Sequence, residues 1–243
     1  MKRMIAVAAV VAVSLWLAPA AHASMETFDS GTDGWGMSLI DSTGYSWSLT
    51  PTYSSTGGNP GGCISGSVGA NVNSRLYSFD APSSLLGNLT GQTLTVDVDI
   101  SGTVTTAAGS GPAMARFYIG SDSSDYFIST NAYSISLNSS GGWITCTIPV
   151  AAADFMAWPG QTGTDSFANV AANAVWVGLF FTSADFSAAD DSATLLGLTS
   201  TNGATISIDN YGTHDPAPMP PAFLLFGPCI AALVVIRRKW KHH

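Results

Sequence analysis

The chain has 243 residues, of which sixteen are acidic and eight basic, and its net charge is −8. All sixteen acidic residues but only two basic ones, Arg75 and Arg116, lie between Ser24 and Asp215, so this part alone carries −14. Such a surface repels phosphate backbones, anionic lipids and anionic polysaccharides, which speaks against nucleic acid as a partner. The same charge attracts divalent cations.

The first 23 residues have the three parts of a secretory signal peptide. Two positive residues come first, residues 4–17 form an apolar segment, and Ala21–His22–Ala23 has small residues where signal peptidase cleaves. We therefore predict export through the Sec machinery and cleavage before Ser24. A retained N-terminal anchor is the alternative, which Pro19 and the small residues disfavour.

Residues 24–213 are predicted to form one all-β domain, an antiparallel β-sandwich of the jelly-roll type. Apolar and polar side chains alternate along most of this range, as in strands with one buried face. Clusters rich in Gly, Ser, Asn and Pro separate these segments, as turns do in sandwiches of short strands. The predicted strands read METFD, YSWSLT, CISGSV, RLYSFDA, LTVDVDIS, ARFYIGS, YFIST, YSISL, WITCTIPV, VWVGLFFTS and TISIDNYG.

Two aspartates lie on the polar side of the strand LTVDVDIS. Asp97 and Asp99 alternate with the apolar residues, so we interpret their face as solvated. An acid/base pair or a metal clamp are the alternatives. Further along, residues 151–174 interrupt the alternation, which predicts a helical turn or a functional loop.

Several segments resemble laminin-type domain IV and, more loosely, carbohydrate-binding modules with a jelly-roll fold. They are FDSGTDGWG near the start, RLYSFDAPSSLLGNLTGQTLTVDVDISG in the middle and ISIDNYG at the end. The resemblance implies a jelly roll, in agreement with the alternation. It also implies a structural Ca²⁺ that joins the first and last strands.

The positions that match the calcium ligands of such jelly rolls are Glu26 or Asp29 near the start and Asp209 in the closing strand. Carboxylate and carbonyl oxygens are the ligands that Ca²⁺ prefers. Alternatively, Asp209 only begins the terminal turn. No other cofactor is predicted.

No catalytic residues are predicted for this domain. His214, at the edge of the linker, is the only histidine between the two terminal signals, so a Ser-His-Asp, Cys-His or histidine-rich zinc site cannot be built. Carboxylate-pair hydrolysis is the one enzymatic alternative, because aspartates are plentiful.

Aromatic side chains are the candidates for binding sugars. Trp158 is the preferred one, since Pro159 and Gly160 follow it in the irregular segment and a loop could present it. Trp35 and Trp176 have apolar neighbours, which predicts core positions.

Cys63 and Cys146 are the only cysteines of the exported domain. Export permits a disulfide between them. Strand alternation instead puts Cys146 on the face of Ile144 and Ile148, and Cys63 on the face opposite Ile64, which favours two separate thiols.

The C-terminal end has three parts. Residues 214–221 form a Pro-rich linker, residues 222–236 a short transmembrane helix and residues 237–243 a basic cytoplasmic tail. Fifteen helical residues span about 22 Å, less than the roughly 30 Å of a hydrocarbon core. The four basic residues of the tail stay in the cytoplasm, and the domain before the helix is therefore outside it.

This end resembles the PEP-CTERM sorting signals of Gram-negative bacteria, in particular the VPLPA variant. The matching motif is Pro218, Met219, Pro220, Pro221 and Ala222, with Pro218 and Met219 in place of the consensus valine and leucine. The resemblance implies an exosortase, a membrane transpeptidase, as partner. It also implies a place in the cell surface or biofilm matrix.

The sequence thus predicts an exported, non-catalytic protein of the cell surface or extracellular matrix that contacts polysaccharide or matrix proteins. A dedicated carbohydrate-binding module is one alternative. A small secreted hydrolase that uses aspartates is the other.

Overall fold

The computed structural model describes residues 24–41, 46–68, 75–106, 113–122, 124–135, 142–158, 161–182 and 198–214. The predicted signal peptide, the sorting motif, the transmembrane helix and the basic tail lie outside these ranges. Within them, no helix is long and apolar enough to cross a membrane.

The described chain is almost entirely β-structure, with a short 3₁₀ turn at Ser83–Leu85 and one helix, α1 (Phe167–Ala172). The strands are β1 (Ser24–Glu26), β2 (Gly36–Asp41), β3 (Ser46–Leu49), β4 (Thr52–Gly58), β5 (Gly61–Val68), β6 (Arg75–Asp80), β7 (Thr93–Thr106), β8 (Ala113–Gly120), β9 (Tyr126–Ser129), β10 (Tyr133–Ile135), β11 (Ile144–Pro149), β12 (Phe155–Ala157), β13 (Trp176–Thr182) and β14 (Leu198–His214).

The strands form two antiparallel sheets, which confirms the predicted β-sandwich. Sheet A has the order β4-β5-β14-β7-β11, with β1 beside the end of β14. Sheet B has the order β3-β2-β6-β13-β8-β9-β12, with β10 also on β8. Within the ranges given above, one residue pair, Leu198 with Arg75, joins the two sheets.

The core lies between the sheets and follows from the alternation of each strand. In β7, the residues predicted to be apolar-facing are buried, Leu94, Val96, Val98 and Ile100 among them. They meet side chains of sheet B such as Phe79 in one continuous cluster. The inward set of sheet B consists of Met37, Leu39, Tyr77, Phe79, Ala113, Ala115, Phe117, Ile119, Phe127, Phe155, Val177, Leu179 and Phe181.

All eleven predicted strands overlap observed ones, and three observed strands were not predicted. β2 and β12 were assigned to no strand, and half of β4 was read as a turn because it is rich in Gly and Ser. The helical turn expected in residues 151–174 is α1. The Ser166 hydroxyl caps it by accepting a hydrogen bond from the Asn169 N–H at 3.3 Å.

The interpretation of Asp97 as solvated is wrong. Only 6% of this residue is exposed, because the turn between β4 and β5 covers it: the Asn59 side-chain amide donates to its carboxylate at 3.3 Å. Asp99 is half-buried on the same face and accepts from the Gly142 N–H at 2.9 Å. The face is polar, as the alternation predicted, but part of it is closed to water.

Cys63 and Cys146 are free, buried thiols, so the structure contains no disulfide between them. Cys146 belongs to the core between the sheets, whereas Cys63 does not. Burial raises the pKa of Cys146 to about 12, with a further contribution from Asp97.

Phe79 provides a test of this core. Its ring packs edge-on against Phe181 at 6.0 Å, and its side chain is fully buried. Phe79→Ala should lower the free energy of unfolding by about 3–5 kcal/mol, measured by chemical denaturation. Leu49→Ala, at a position that is 42% exposed, should change it by less than about 0.5 kcal/mol. Equal losses for both variants would contradict this placement of the core.

Candidate functional site

A second apolar cluster lies outside the core. Tyr118, Ile128 and Phe180 are buried, and Tyr126, Met156 and Trp158 pack against them half-buried. Phe117 of β8 and Leu179 and Phe181 of β13 point into the core. Because side chains alternate along a strand, Tyr118 and Phe180 face outward. These strands are apolar on both sides, which leaves aromatic residues on the outer face of sheet B.

We name Tyr118, Tyr126, Met156, Trp158 and Phe180 the aromatic patch. The ring centroids of Trp158 and Phe180 are 4.8 Å apart, and those of Tyr118 and Phe180 are 4.3 Å apart. Tyr118 and Tyr126 are 6.5 Å apart. These distances are those of aromatic contacts, so the rings form one continuous cluster, in which Tyr126 and Trp158 are the half-buried members and Tyr118 and Phe180 are buried.

Trp158 directly follows β12 and is held by its backbone. Its N–H donates to the Tyr126 carbonyl at 2.8 Å, and its own carbonyl accepts from the Gln161 N–H at 3.2 Å. The structure thus places Trp158 at the edge of sheet B, half-buried against Phe180.

The two other tryptophans singled out in the sequence differ from each other. Trp35 is buried in the core, as predicted, and packs against Phe28 and Tyr211. The core position predicted for Trp176 is wrong, because 44% of it is exposed. It alternates with the inward-facing Val177 at the start of β13, and this puts it on the outer face of sheet B.

A carboxylate borders the aromatic patch. Asp80 accepts hydrogen bonds from the hydroxyls of Tyr118 (2.5 Å), Ser38 (2.7 Å) and Ser78 (2.9 Å). It is itself half-buried. Burial, followed by the charge of Asp80 and this hydrogen bond, raises the pKa of Tyr118 well above its ordinary value. Tyr118 therefore stays protonated and keeps donating to Asp80 at neutral pH.

Arg116 lies on the same face, but its guanidinium is directed towards backbone carbonyls and not towards Asp80. Its guanidinium donates to the carbonyls of Ser129 (2.7 Å) and Thr130 (2.9 Å). The residue is buried, and burial lowers its pKa. Arg116 thus ties β8 to β9 and the turn after it.

Chemically, this face offers flat apolar rings next to a hydrogen-bond acceptor. Sugar rings stack their C–H faces on such rings, while their hydroxyls donate to carboxylates. The arrangement is suited to binding rather than to moving a proton, because Asp80 is tied to three hydroxyls.

A different polar cluster lies on the outer face of sheet A. Asp97 and Asp209 are neighbours across β7 and β14. Asp209 accepts from the backbone N–H groups of Asn59 (2.5 Å) and Asn210 (2.7 Å). Asp97 accepts from the Asn210 side-chain amide at 2.8 Å and from the Thr145 hydroxyl at 2.5 Å. The Asn210 amide also bonds to the Asn59 carbonyl.

The Asp209 carboxylate is fully buried. Burial raises its pKa, and the charges of Asp97 and Asp29 raise it further against the effect of the two backbone N–H donors. Asp209 is therefore a carboxylate whose charge only hydrogen-bond donors offset within the described part of the chain.

The three predicted calcium ligands are only partly brought together. Asp29 lies close enough to Asp209 to affect its pKa, and it accepts from the Thr27 hydroxyl at 2.6 Å. Glu26 is paired with Tyr211 along the backbone, and its pKa is raised by burial and by Asp33. Among the described residues, no three His, Cys, Asp or Glu side chains are grouped closely enough to hold a metal ion.

His214 is half-buried at the end of β14, opposite Thr93 of β7. Sequence reasoning missed Asp80, Tyr118 and Phe180 as parts of a site. The continuous apolar runs FYI and WVGLFF carried a signal for this, since a strand with one buried face alternates.

Comparison with known proteins gives structural likeness only, as no sequence family and no curated protein matches the chain. One similar structure is the family 11 carbohydrate-binding module of the cellulase Lic26A-Cel5E of Clostridium thermocellum (TM-score 0.41, 12% identity, 82% of this chain and 96% of that one). Another is a family 11 carbohydrate-binding module from the same organism in complex with a β-1,3-1,4-mixed-linked tetrasaccharide (TM-score 0.41, 12% identity, 79% of this chain and 95% of that one).

A third is the K3 cleaved adhesin domain of Lys-gingipain from Porphyromonas gingivalis (TM-score 0.42, 17% identity, 79% of this chain and 98% of that one). At these values the likeness supports no conclusion about ligand or activity.

The raised pKa of Asp209 makes a prediction about stability against pH. A carboxyl whose pKa is higher in the folded state stabilises the fold below its ordinary value of 3.8, and this contribution is lost as pH rises through the folded pKa. We therefore compare the unfolding temperatures of Asp209→Asn and of the unchanged protein by circular dichroism in EDTA. The variant's unfolding temperature minus that of the unchanged protein should increase as pH rises from about 4 to about 7.

Asp122→Asn is the control. The backbone N–H of Ser124 lowers the pKa of Asp122 from its ordinary value of 3.8, so the contribution of Asp122 is lost only below about pH 4 and the effect of this variant should stay constant from about pH 4 to about 7. A constant difference between Asp209→Asn and the unchanged protein over this pH range would contradict the burial of an ionised Asp209.

Proposed function

We propose that this protein is exported and non-catalytic, and that it binds polysaccharide at the cell surface or in the extracellular matrix through the aromatic patch. The observation that carries the proposal is Trp158, half-buried against Phe180 on the outer face of sheet B. Trp158 is partly exposed, and it contacts Phe180 in the same patch as Tyr118, whose hydroxyl donates to Asp80.

The patch is additional to what the fold requires. The core between the sheets is complete without it, and the two apolar clusters are separate. Aromatic side chains kept on the outer face of a sandwich, next to a carboxylate, are the usual composition of a binding surface for ligands with both apolar and hydroxyl faces.

Trp158→Ala tests this proposal. The change should lower binding to the recognised polysaccharide at least about tenfold on a glycan array or in calorimetry, because a stacking surface is lost. Trp143→Ala is the matched control: Trp143 is also half-buried but directly precedes β11, at the edge of sheet A and away from the patch. An equal loss in both variants, or none in either, would contradict binding at the patch.

Export and sorting are the second part of the proposal, and the terminal sequences support it. The protein enters the Sec pathway and loses residues 1–23. The motif from Pro218 to Ala222, with the short apolar helix behind it, is then handled by an exosortase-type transpeptidase.

The intact mass of the exported protein tests this part. The account predicts a chain that starts at Ser24 and has been cut near the sorting motif. Deletion of residues 216–243 should abolish surface deposition without affecting glycan binding in vitro. A cytosolic product that retains its first 23 residues would contradict export.

Calcium is proposed as a structural ion near Asp209. The fully buried Asp209 and the neighbouring Asp29 are the carboxylates that would bind the cation. Glu26 is the weaker ligand of the three, because burial and the charge of Asp33 raise its pKa. Further oxygens would come from backbone or side-chain amides, which Ca²⁺ accepts readily. Such an ion would offset the negative charges of Asp29, Asp97 and Asp209, and it would link β14 to the start of the chain.

Millimolar Ca²⁺ should raise the unfolding temperature, and EDTA should reverse the rise, because an ion that binds only the folded state stabilises it. Asp209→Asn should remove most of this response, and Asp99→Asn should keep it. An unfolding temperature that does not depend on Ca²⁺ would exclude the ion at this position.

A further inference from the structure

The Asp80 carboxylate beside the aromatic patch has no cationic partner within the described part of the chain. Its three hydrogen-bond donors, on Ser38, Ser78 and Tyr118, are all neutral hydroxyls. A carboxylate can accept about four hydrogen bonds, so one acceptor direction remains for a ligand. Because Asp80 is half-buried, that direction is also less screened by water than an exposed carboxylate would be.

The negative charge of Asp80 extends over the patch. The pKa of Tyr126 is raised by burial and then by the charges of Asp80 and Asp122. Arg116, on the same face, donates to two backbone carbonyls and not to Asp80. The negative charge of Asp80 therefore acts on the tyrosines of the patch, Tyr118 and Tyr126.

This combination distinguishes between classes of polysaccharide. A uronic-acid polymer would be repelled by Asp80 and by the overall acidic surface. A neutral glycan would stack and donate one hydroxyl. A protonated amine would gain a charge-assisted hydrogen bond to Asp80 and, in addition, an attraction to the faces of the aromatic rings.

We propose that the aromatic patch together with Asp80 selects polysaccharides that carry protonated primary amines, such as N-deacetylated amino-sugar polymers, over neutral and anionic ones. This inference rests on the proposed polysaccharide-binding function and assigns the ligand class of the same site. The half-buried Trp158 stacks a sugar ring, the buried Phe180 supports Trp158 from behind, and Asp80 binds the ammonium group.

The test compares oligosaccharides of equal length with the protein as it is exported. The probes are glucosamine oligomers, their fully N-acetylated counterparts, a neutral β-glucan oligomer and a uronic-acid oligomer. Glucosamine oligomers should bind about tenfold more tightly than the acetylated ones, as expected for one charge-assisted contact. The preference should decline with added salt and as pH rises through the pKa of the sugar amine.

Asp80→Asn keeps the shape of the side chain but removes its charge. It should bring the ratio between the amine and acetylated oligomers close to one, while binding of the acetylated oligomer stays within about twofold. Trp158→Ala should weaken binding of both oligomers. Asp99→Asn removes the same charge from sheet A and should keep the ratio, which separates a local effect of Asp80 from attraction by the overall negative charge.

Equal binding of amine and acetylated oligomers by the unchanged protein would overturn the amine inference but leave polysaccharide binding in place. A preference that survives in Asp80→Asn would overturn it as well. If Asp80→Asn does not fold, the unchanged protein provides the test. A preference for amine over acetylated oligomers that persists above the pKa of the sugar amine would also overturn the amine inference. Failure of the folded, unchanged protein to bind any of the oligomers and polysaccharides tested would overturn both proposals.

Discussion

The pairing of β14 with its neighbours is the constraint on which the rest of this structure depends. Its seventeen residues pair with β7 along one edge and with β5 and then β1 along the other, and Leu198 makes the only pair between the two sheets that the described residues show. Inward-facing Ile206 and Ile208 thereby complete the core of sheet A.

The register of β14 is interrupted between Asp209 and Gly212. Asn210 adopts a left-handed backbone conformation there, with φ of 50°, which asparagine tolerates better than most residues. The irregularity keeps Asp209 next to Asp97 and puts Tyr211 into the core against Trp35. One local distortion thus positions both the acidic cluster and the ring that closes this end of the sandwich.

Much of the fold could be predicted because each strand carries its own alternation. β7 shows the limit of that reasoning: its apolar residues are buried as expected, but the burial of Asp97 depends on Asn59, which lies 38 residues away in the sequence. No local pattern contains that contact. The unpredicted β4 and β12 depend in the same way on pairing with β5 and β9, since β4 is largely polar and β12 has only three residues, too few to show an alternation.

The candidate site was partly predictable. Trp158 was identified from its irregular surroundings, whereas the Asp80 network joins hydroxyls from β2, β6 and β8 and has no signature in any one segment. Trp176 was misassigned because apolar neighbours in a strand buried on both faces do not reveal which face a residue is on. The functional argument therefore depends on sheet B as a whole and not on a motif.

Hydrogen exchange of the protein with and without a bound glycan tests the central claim most directly, since it locates the binding surface without any substitution. The account predicts slower exchange in residues 126–129, 155–158 and 176–180, on the aromatic side of sheet B, and unchanged exchange in β4, β5, β7 and β11. Protection confined to the strands of sheet A would contradict it.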